Sequence, residues 1–467
     1  MFFRFDLSYH PAPRAATKPL PWLGRLATKI AMDARKVYIE TYGCQMNIAD
    51  TELLVGLLKP HGYEPTRQAD QADVILLNTC AIREHAEERV LKRLAALVHH
   101  KTRRPEVRLG LTGCMAQHHR DQLLDKAPFL DLVLGPDAYR NLPALLDQDD
   151  PADPLVSVRL DRDETYADVS PVRAEGVRAW VTVMRGCDKF CTFCIVPYVR
   201  GRERSVPVQT LLDQVRDVAA QGYKEVVYLG QTVNAYRHDG CDFGALLRRT
   251  AAIDGIERIR FTSPHPSDMT DSTIEAMADC PKVAPYLHLP LQSASNRVLA
   301  RMERGYTIEA YTALMERVRA AVPDLAFSTD IIVGFPGEDE DDFQATCDFM
   351  QAVEYDSAFL FKYSARQGTK AYKWEETLSE EEKGQRLQQI IRLQEGISGA
   401  LNQRQVGRSV EVLVEGPAKR QKDWLAGKSR QFKTVVFPAN GARPGDLVRV
   451  NVTSATAHTL VGEEGER

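Results

Sequence analysis

The chain has 467 residues, of which 44% are hydrophobic and 27% are charged, and its formal net charge at pH 7 is -4. This length allows about three domains, and the composition is that of a folded globular protein. The sequence contains no run of about 18 apolar residues, which excludes a membrane-spanning helix, and the net charge excludes a strongly basic nucleic-acid-binding protein. Any RNA-binding surface must therefore be local.

The first segment of the chain has no clear structural pattern. Residues 1–31 combine basic residues, prolines and scattered aromatic residues, without the continuous apolar core of a signal peptide. We expect residues 1–34 to be a disordered extension, with an amphipathic targeting segment or a later start at Met32 as the alternatives. The nine cysteines are an odd number, which favours a reducing cytoplasm and metal ligation over disulfides.

Residues 35–150 alternate strand and helix patterns. The predicted strands are KVYIETYGC, DVILLNTC, VRLGLTGC and LDLVLG, and the predicted helices between them are NIADTELLVGLLKPHG, AIREHAEERVLKRLAALVHH and AQHHRDQLLDKAP. This alternation predicts a doubly wound parallel α/β domain.

Three cysteines of this domain occupy equivalent positions. Cys44, Cys80 and Cys114 each follow the C-terminal end of a predicted strand. Because the C-terminal ends of parallel strands share one edge, we expect the three thiols to meet there. Three thiolates suggest a four-iron cluster with one open iron, and three independent buried cysteines are the alternative. Gly43 and Gly113 suit tight turns into such loops.

A second α/β domain is predicted over residues 173–402, after the acidic, Pro-containing linker DDPADPL. Its six predicted strands are AWVTVMRGC, EVVYLGQTVNAY, ERIRFTS, YLHLPLQS, AFSTDIIVGFPG and SAFLFKYS, with helical patterns between them. Six such repeats predict a partial (β/α)6 TIM-type barrel, because a complete eight-unit barrel needs about 250 residues and more strands.

The loop RGCDKFCTFCIVPYVRG carries Cys187, Cys191 and Cys194 in a C-x3-C-x2-C pattern. Three thiols this close converge on one point, whereas relaxed disulfides need wider gaps and structural zinc sites use four ligands in two separated pairs. Three thiolates around four irons leave one iron open for chemistry. Three structural cysteines are the alternative. The spacing resembles the radical S-adenosylmethionine (SAM) superfamily, in which the open iron binds SAM.

Polar residues follow the predicted strands of this domain, while Asp330 lies within the fifth strand and Arg200 lies just past the cysteine loop. By analogy with radical SAM folds, the resemblance implies that these residues contact SAM and the substrate. The predicted cofactor-binding residues are Gln231, Asn234, Gln292, Ser293, Asp330 and Arg200. We expect Gln231, Gln292 and Asp330 to line the pocket, and Gly334 and Gly337 to allow close approach of a ligand. The alternatives are loop residues with internal hydrogen bonds and, for Arg200, an exposed charge.

Residues 404–467 change to short alternating stretches separated by Gly and Pro, which predicts a small OB-like antiparallel β-barrel. Between Arg404 and Arg449 there are ten Lys or Arg and four Asp or Glu. The basic residues of interest are Lys419, Arg420, Lys422, Lys428, Arg430 and Lys433, interleaved with Trp424 and Phe432. This pattern favours RNA binding, with a solvated basic face as the alternative. GKSRQFKTVVF and PGDLVRVNVTSA resemble the TRAM domain, an RNA-binding module.

Taken together, YGCQMN, LNTCAIRE, TGCMAQ, HLPLQSASNRVLARMERGYT and STDIIVGFPGE resemble the methylthiotransferase family of radical SAM enzymes. The resemblance implies two 4Fe-4S clusters, an auxiliary one on Cys44, Cys80 and Cys114 and a SAM-cleaving one on the cysteines of the C-x3-C-x2-C loop. It implies that one SAM donates a methyl group to sulfur, and that a second yields a 5'-deoxyadenosyl radical that activates a C–H bond. It further implies an electron donor such as flavodoxin or ferredoxin, a monomer, and no membrane contact.

Within the family, YGCQMN, TGCMAQ and FTSPHP resemble the branch that acts on tRNA. That branch converts N6-dimethylallyladenosine at position 37, in the anticodon stem-loop, to its 2-methylthio form. Branches acting on threonylcarbamoyladenosine or on an aspartate of a ribosomal protein are the alternatives, although Gln45 stands where the first of these tends to carry lysine. A different class would be a non-enzymatic iron-sulfur RNA-binding regulator, which binds clusters and RNA without cleaving SAM.

Overall fold

The computed structural model describes residues 34–81, 84–148, 153–174 and 176–465, and for residues 84–86 it describes the backbone alone. The extension expected over residues 1–34 lies, up to residue 33, outside the described residues. The chain divides into two compact units. One contains the described residues up to Asp161 and residues 169–174, and the other contains residues 162–168 and the described residues from Gly176 onward.

The first unit is a parallel sheet of six strands with helices. The strands are β1 Arg35–Tyr42, β2 Tyr63–Pro65, β3 Val74–Thr79, β4 Arg108–Gly113, β5 Leu132–Leu134 and β6 Leu155–Ser157. Their order is β2-β1-β3-β4-β5-β6, and all neighbours are parallel. The helices are α1 Gln45–Leu58, α2 Glu84–Arg103, α3 Cys114–His119, α4 Gln122–Lys126 and α5 Leu142–Leu146. Every residue of the central strand β3 is buried, as a strand covered on both faces requires.

Two details of this unit differ from the predicted pattern. The strands β2 and β6 were not predicted, because three residues are too short to show a period. The helix predicted over residues 116–128 is divided into α3 and α4 by Arg120, whose φ of 51° lies in the left-handed region.

The second unit begins with six parallel strands, and its fold agrees with the predicted partial barrel. These strands are β7 Arg178–Thr182, β10 Glu225–Leu229, β13 Arg258–Phe261, β14 Tyr286–His288, β15 Ala326–Val333 and β16 Ser357–Lys362, with the short strands β8 Met184–Arg185, β9 Arg204–Ser205, β11 Arg237–His238 and β12 Cys241–Asp242 between them. The six form two three-stranded sheets, ordered β13-β10-β7 and β14-β15-β16. A parallel bridge between Ile259 and Val283 links β13 to the residues before β14.

Helices connect these strands. They are α6 Val196–Arg200, α7 Val208–Ala220, α8 Phe243–Ala251, α9 Asp271–Asp279, α10 Asn296–Arg301, α11 Ile308–Ala321, α12 Glu340–Val353 and α13 Glu380–Gln403. All except α6 and α10 contribute to one apolar core with the strands. The longest, α13, was not predicted. Its buried face includes Lys383, Arg386, Gln394 and Asn402, so the apolar period that normally identifies a helix is weak.

The chain ends in a closed five-stranded barrel. Its strands are β17 Ser409–Pro417, β18 Trp424–Ser429, β19 Thr434–Pro438, β20 Leu447–Ala455 and β21 Leu460–Glu464, in the order β17-β18-β19-β21-β20. Closure leaves no unpaired strand edge. The predicted antiparallel barrel is correct except for one pair, because β19 and β21 run parallel. No helix among the described residues is long and apolar enough to cross a membrane.

Candidate functional site

The register of the first sheet brings Cys44, Cys80 and Cys114 to one edge. Tyr42 of β1 lies opposite Thr79 of β3, and Thr79 lies opposite Gly113 of β4. Each cysteine follows its strand by one or two residues, and Cys44 and Cys114 stand at the start of α1 and α3. The strand ends therefore place the three cysteine loops side by side, as the strand pattern predicts.

Two glycines make this close approach possible. Gly43 has a φ of +139°, and a Cβ at this position would lie 2.6 Å from the Cβ of Cys80. Gly113 has a φ of +93°, and a Cβ there would lie 2.5 Å from the Thr79 carbonyl oxygen. Any larger residue would separate the cysteine loops.

Two buried asparagines, which the sequence analysis did not single out, hold the Cys44 and Cys80 loops together. The side chain of Asn47 accepts from the Cys44 backbone N–H at 3.3 Å and donates to the Thr79 carbonyl at 3.2 Å. Asn78 donates to the Asn47 carbonyl at 2.8 Å and to Thr51 Oγ1 at 3.0 Å. Both asparagines are fully buried, so this network fixes the spacing of the two loops.

The second set of thiols lies in the loop between β8 and β9, which pair with each other in antiparallel fashion. The Cys187 N–H donates to the Gly201 carbonyl at 3.1 Å, and the Cys194 N–H donates to the Cys191 carbonyl at 2.9 Å. The Cys187 sulfur lies 3.2 Å from Thr232 Oγ1, beyond β10. The loop is therefore closed on itself and attached to a strand end of the partial barrel.

Burial favours the protonated form of two thiols in this loop. Burial, together with Cys191 and Cys187, raises the pKa of Cys194 to about 12. Burial also raises the pKa of Cys187. Because the ligand form of cysteine is the thiolate, metal binding here must displace protons.

Both cysteine sets offer the donor atoms of an iron-sulfur cluster. Within the described ranges, no group of three or more His, Cys, Asp and Glu side chains forms a site for one metal ion. The protein ligands of a 4Fe-4S cluster are cysteine thiolates, and three of them leave one iron open. Two triplets of thiols on tight loops have the donor chemistry that such clusters require.

The side-chain amide oxygens of the predicted pocket residues Gln231 and Gln292 are buried without a hydrogen-bond donor among the described residues. Nε2 of His265 is likewise buried and has no hydrogen-bond partner in the described part of the chain. Gln292 and Ser263 have φ values of 75° and 59°, a strained conformation for these residue types. Orphaned buried polar atoms and backbone strain at strand ends are typical of a ligand site.

The ring of His265 is a neutral donor in this site. Burial, together with Arg304 and Lys189, lowers the pKa of His265 to about 2. Its Nδ1 accepts from the Ser267 backbone N–H at 3.3 Å, so the proton resides on Nε2.

Other predicted cofactor residues make internal contacts. The Asn234 side chain bonds to both the N–H and the carbonyl of His265, at 2.8 and 2.9 Å. Ser293 accepts from the Ser295 N–H at 3.2 Å and is 1% exposed. These two side chains shape the loops. Arg200 is buried at the end of α6. Asp330 lies 3.4 Å from His288 and keeps part of its surface exposed.

The glycines after β15 pack closely against side chains. A Cβ on Gly334 would lie 2.5 Å from Cγ of Lys383 in α13, and one on Gly337 would lie 3.1 Å from Nε of Arg301. The unpredicted helix α13 therefore occupies the space beside Gly334. That the two glycines also allow close approach of a ligand stays a prediction.

The basic residues of the terminal barrel divide into two groups. Lys419, Arg420 and Lys422 lie exposed between β17 and β18. In contrast, Lys433 donates to Asp356 at 2.5 Å, and Arg430 donates to the Pro281 carbonyl at 2.5 Å. These two residues, like Phe432 between them, join the barrel to the central strands, so the predicted RNA-binding group is only partly exposed.

Family models match three consecutive stretches of the chain. The match to the uncharacterized protein family UPF0004 covers residues 36–135, the match to the radical SAM superfamily covers residues 181–350, and the match to the TRAM domain covers residues 403–463. The three stretches correspond to the parallel sheet, the partial barrel and the closed barrel.

Curated relatives match nearly the whole chain. A tRNA-2-methylthio-N(6)-dimethylallyladenosine synthase from Bacteroides thetaiotaomicron is 44% identical over 93% of this chain and 97% of its own length. The protein of the same name from Carboxydothermus hydrogenoformans is 43% identical over 92% of this chain and 99% of its own length.

Solved structures show the same fold at low identity. The radical S-adenosylmethionine methyltransferase TsrM from Kitasatospora setae matches with a TM-score of 0.53 and 14% identity, over 73% of this chain and 77% of that one. The cobalamin-dependent S-adenosylmethionine radical enzyme OxsB matches with a TM-score of 0.52 and 14% identity, over 77% of this chain and 56% of that one.

Proposed function

This chain belongs to the tRNA-2-methylthio-N(6)-dimethylallyladenosine synthase family of radical SAM enzymes, and we propose that it converts N6-dimethylallyladenosine at position 37 of tRNA to the 2-methylthio nucleoside. Identity of 44% across the full length of a curated relative supports this substrate over the other branches. The observation that carries the mechanism is the register that aligns Cys44, Cys80 and Cys114 in a chain that also has the C-x3-C-x2-C loop.

The two cysteine sets have separate roles. Cys187, Cys191 and Cys194 hold the 4Fe-4S cluster that binds SAM, and Cys44, Cys80 and Cys114 hold the auxiliary cluster. When bound, these groups supply a radical derived from SAM and the sulfur that is methylated and transferred. The protein supplies thiolates on closed loops, which set the geometry of each cluster and exclude water from it.

Gln231, Gln292 and Asp330 orient SAM and the substrate adenosine. Their support is the position of Gln231 and Gln292 just after strands, the position of Asp330 within β15, and the absence, in the described chain, of a hydrogen-bond partner for the two amide oxygens. An amide oxygen accepts from an ammonium or exocyclic amine, and Asp330 offers a carboxylate that His288 leaves partly exposed. The neutral Nε2–H of His265 is a suitable donor to a carboxylate.

The terminal barrel binds the anticodon stem-loop. Lys419, Arg420 and Lys422 are exposed beside each other and would contact phosphates, which position an RNA without reading its sequence. We further infer a monomer that works in the cytoplasm with flavodoxin or ferredoxin as electron donor. The nine cysteines all lie among the described residues and form no disulfide there, which supports a reducing compartment.

The test uses tRNA nucleosides from a strain in which the gene is deleted. We expect mass spectrometry to show accumulation of N6-dimethylallyladenosine and loss of its 2-methylthio form, with recovery when the intact chain is restored. Restoration with Cys191→Ala should fail. Unchanged 2-methylthio nucleoside in the deletion strain would show that tRNA adenosine is not the substrate.

A further inference from the structure

Arg304 is a buried cation in contact with a cysteine of the C-x3-C-x2-C loop. It is 6% exposed, and its Nη1 donates to the sulfur of Cys191 at 3.3 Å. Its Nη2 donates to the Pro290 carbonyl at 3.1 Å, and its Nε donates to the Tyr306 hydroxyl at 3.0 Å. All three nitrogens of the guanidinium are therefore engaged, one of them on a thiol.

Among the groups that accept hydrogen bonds from Arg304, Cys191 is the one that is negatively charged near neutral pH when it binds a metal. In the described part of the chain, no carboxylate forms an ion pair with Arg304; the Pro290 carbonyl is neutral, and the Tyr306 hydroxyl is neutral at physiological pH. Burial of a guanidinium without a neighbouring anion is unfavourable, because the charge is removed from water without compensation. The sulfur of Cys191 is the natural counter-ion once it is a thiolate, which is its form as a metal ligand.

The surroundings of Arg304 hold it in this position. The Tyr306 hydroxyl, which accepts from the Nε–H of Arg304, donates in turn to the carbonyl of Leu291 at 2.9 Å. The cysteine loop is attached to the same segment, because the Thr192 N–H donates to the Met302 carbonyl at 3.1 Å and its hydroxyl donates to the Arg301 carbonyl at 3.0 Å. The contact between Arg304 and Cys191 thus joins two segments that are already fixed to each other.

We propose that Arg304 is a positioning residue that donates a charge-assisted hydrogen bond to the Cys191 thiolate and raises the reduction potential of the SAM-binding cluster. The inference rests on the proposed function, because it requires Cys191 to be a cluster ligand. Hydrogen bonds to ligand sulfurs and nearby charge are among the factors that set the potential of such clusters. A cation favours the reduced cluster because that state carries one more negative charge.

The test measures the midpoint potential of the SAM-binding cluster by EPR-monitored redox titration. The full chain carries Cys44→Ala, Cys80→Ala and Cys114→Ala, so that only one cluster contributes. Arg304→Gln removes the positive charge, and Arg304→Lys keeps the charge but lacks the planar guanidinium group. Arg317→Gln is the control, because Arg317 is 57% exposed and pairs with exposed Asp271. Iron content is measured for each protein.

We expect Arg304→Gln to lower the equilibrium constant for one-electron reduction about tenfold, which corresponds to about 59 mV. Arg304→Lys should fall between Gln and the parent, and Arg317→Gln should match the parent. A potential equal to the parent in Arg304→Gln, at equal iron content, would overturn the inference and leave the proposed function intact. If Arg304→Gln does not fold, Arg304→Lys is measured instead. A midpoint potential equal to that of the parent in Arg304→Lys would then overturn the role of the hydrogen bond from Arg304 to Cys191. If Cys191→Ala retains full iron, the proposed function itself is wrong.

Discussion

The Nε–H of Arg260 in β13 donates to Glu225, the first residue of β10, at 2.9 Å, and both side chains are buried. Arg178 donates to the other oxygen of the same carboxylate. The remaining nitrogens of Arg260 donate to the carbonyls of Ser429 and Arg430, at 2.7 and 2.8 Å, in the turn between β18 and β19. A single buried carboxylate thus orients the arginine that attaches the terminal barrel to the central domain.

Glu225→Ala should weaken this attachment strongly. Removal of one partner from a buried ion pair leaves uncompensated charge, which costs about 3–5 kcal/mol of unfolding free energy. Urea unfolding of the full chain measures the loss, with the exposed glutamate variant Glu381→Ala as the control, which should change stability by less than about 0.5 kcal/mol. Equal stability of the two variants would contradict the role assigned to Glu225.

The same carboxylate predicts a pH dependence. Burial by itself would raise the pKa of Glu225, but Arg260 and Arg178 overcome this and lower it to about 2 from an ordinary value of 4.5. Because the folded-state value is the lower one, the stabilisation is complete above about pH 4.5 and is lost as the pH falls through about 2. Unfolding free energies compared at pH 5 and pH 3 should fall more for the intact chain than for Glu225→Gln. Parallel pH profiles would contradict this prediction.

Gly186→Ala should impair the SAM-binding loop. Gly186 has a φ of +79°, and a Cβ there would collide with the Arg202 carbonyl and lie 2.7 Å from that of Gly201. Gly222→Ala is the matched control, because its φ is +90° but no atom lies within 4 Å of its Cβ. We expect anaerobic reconstitution to give markedly less iron in Gly186→Ala and normal iron in Gly222→Ala, although both pay about 1 kcal/mol or more for the backbone conformation. Equal iron content would show that the loop tolerates the collision.

The two groups of basic residues should behave differently. Combined alanine substitution of Lys419, Arg420 and Lys422 should weaken tRNA binding and reduce its salt dependence by a slope of roughly 0.7–0.9 per lost phosphate contact, without lowering the melting temperature. Lys433→Ala should instead lower the melting temperature, because Lys433 bonds to Asp356 and Asn402. Unchanged tRNA binding by the triple variant would show that the RNA-binding surface lies at other residues.

The sequence predicted the parts of the site that depend on strand order. Cys44, Cys80 and Cys114 could be expected together because parallel strands end at one edge, and the register pairs Tyr42 with Thr79 and Thr79 with Gly113 just before them. The partial barrel followed from the same alternation.

Contacts between distant side chains could not be predicted in this way. Asn47 and Asn78 look like ordinary polar residues until the register places them against each other, and Arg304 reads as a surface charge in ERGY although it lies on Cys191. Lys428 looks like an RNA-binding residue, but its Nζ donates to Thr434 Oγ1 at 2.8 Å within the barrel. The helix α13 was missed because its buried face is polar.

We propose that the two cysteine sets of this chain perform two parts of one reaction. The direct test is an anaerobic reaction of the reconstituted protein with SAM, reductant and tRNA containing N6-dimethylallyladenosine. Mass spectrometry quantifies 5'-deoxyadenosine and the 2-methylthio nucleoside in the same sample, for the intact chain, for Cys80→Ala and for Cys280→Ala as the cysteine control. We expect both products from the intact chain and from Cys280→Ala, and 5'-deoxyadenosine alone from Cys80→Ala. Formation of the 2-methylthio nucleoside by Cys80→Ala, or loss of 5'-deoxyadenosine in that variant, would contradict the separation of roles.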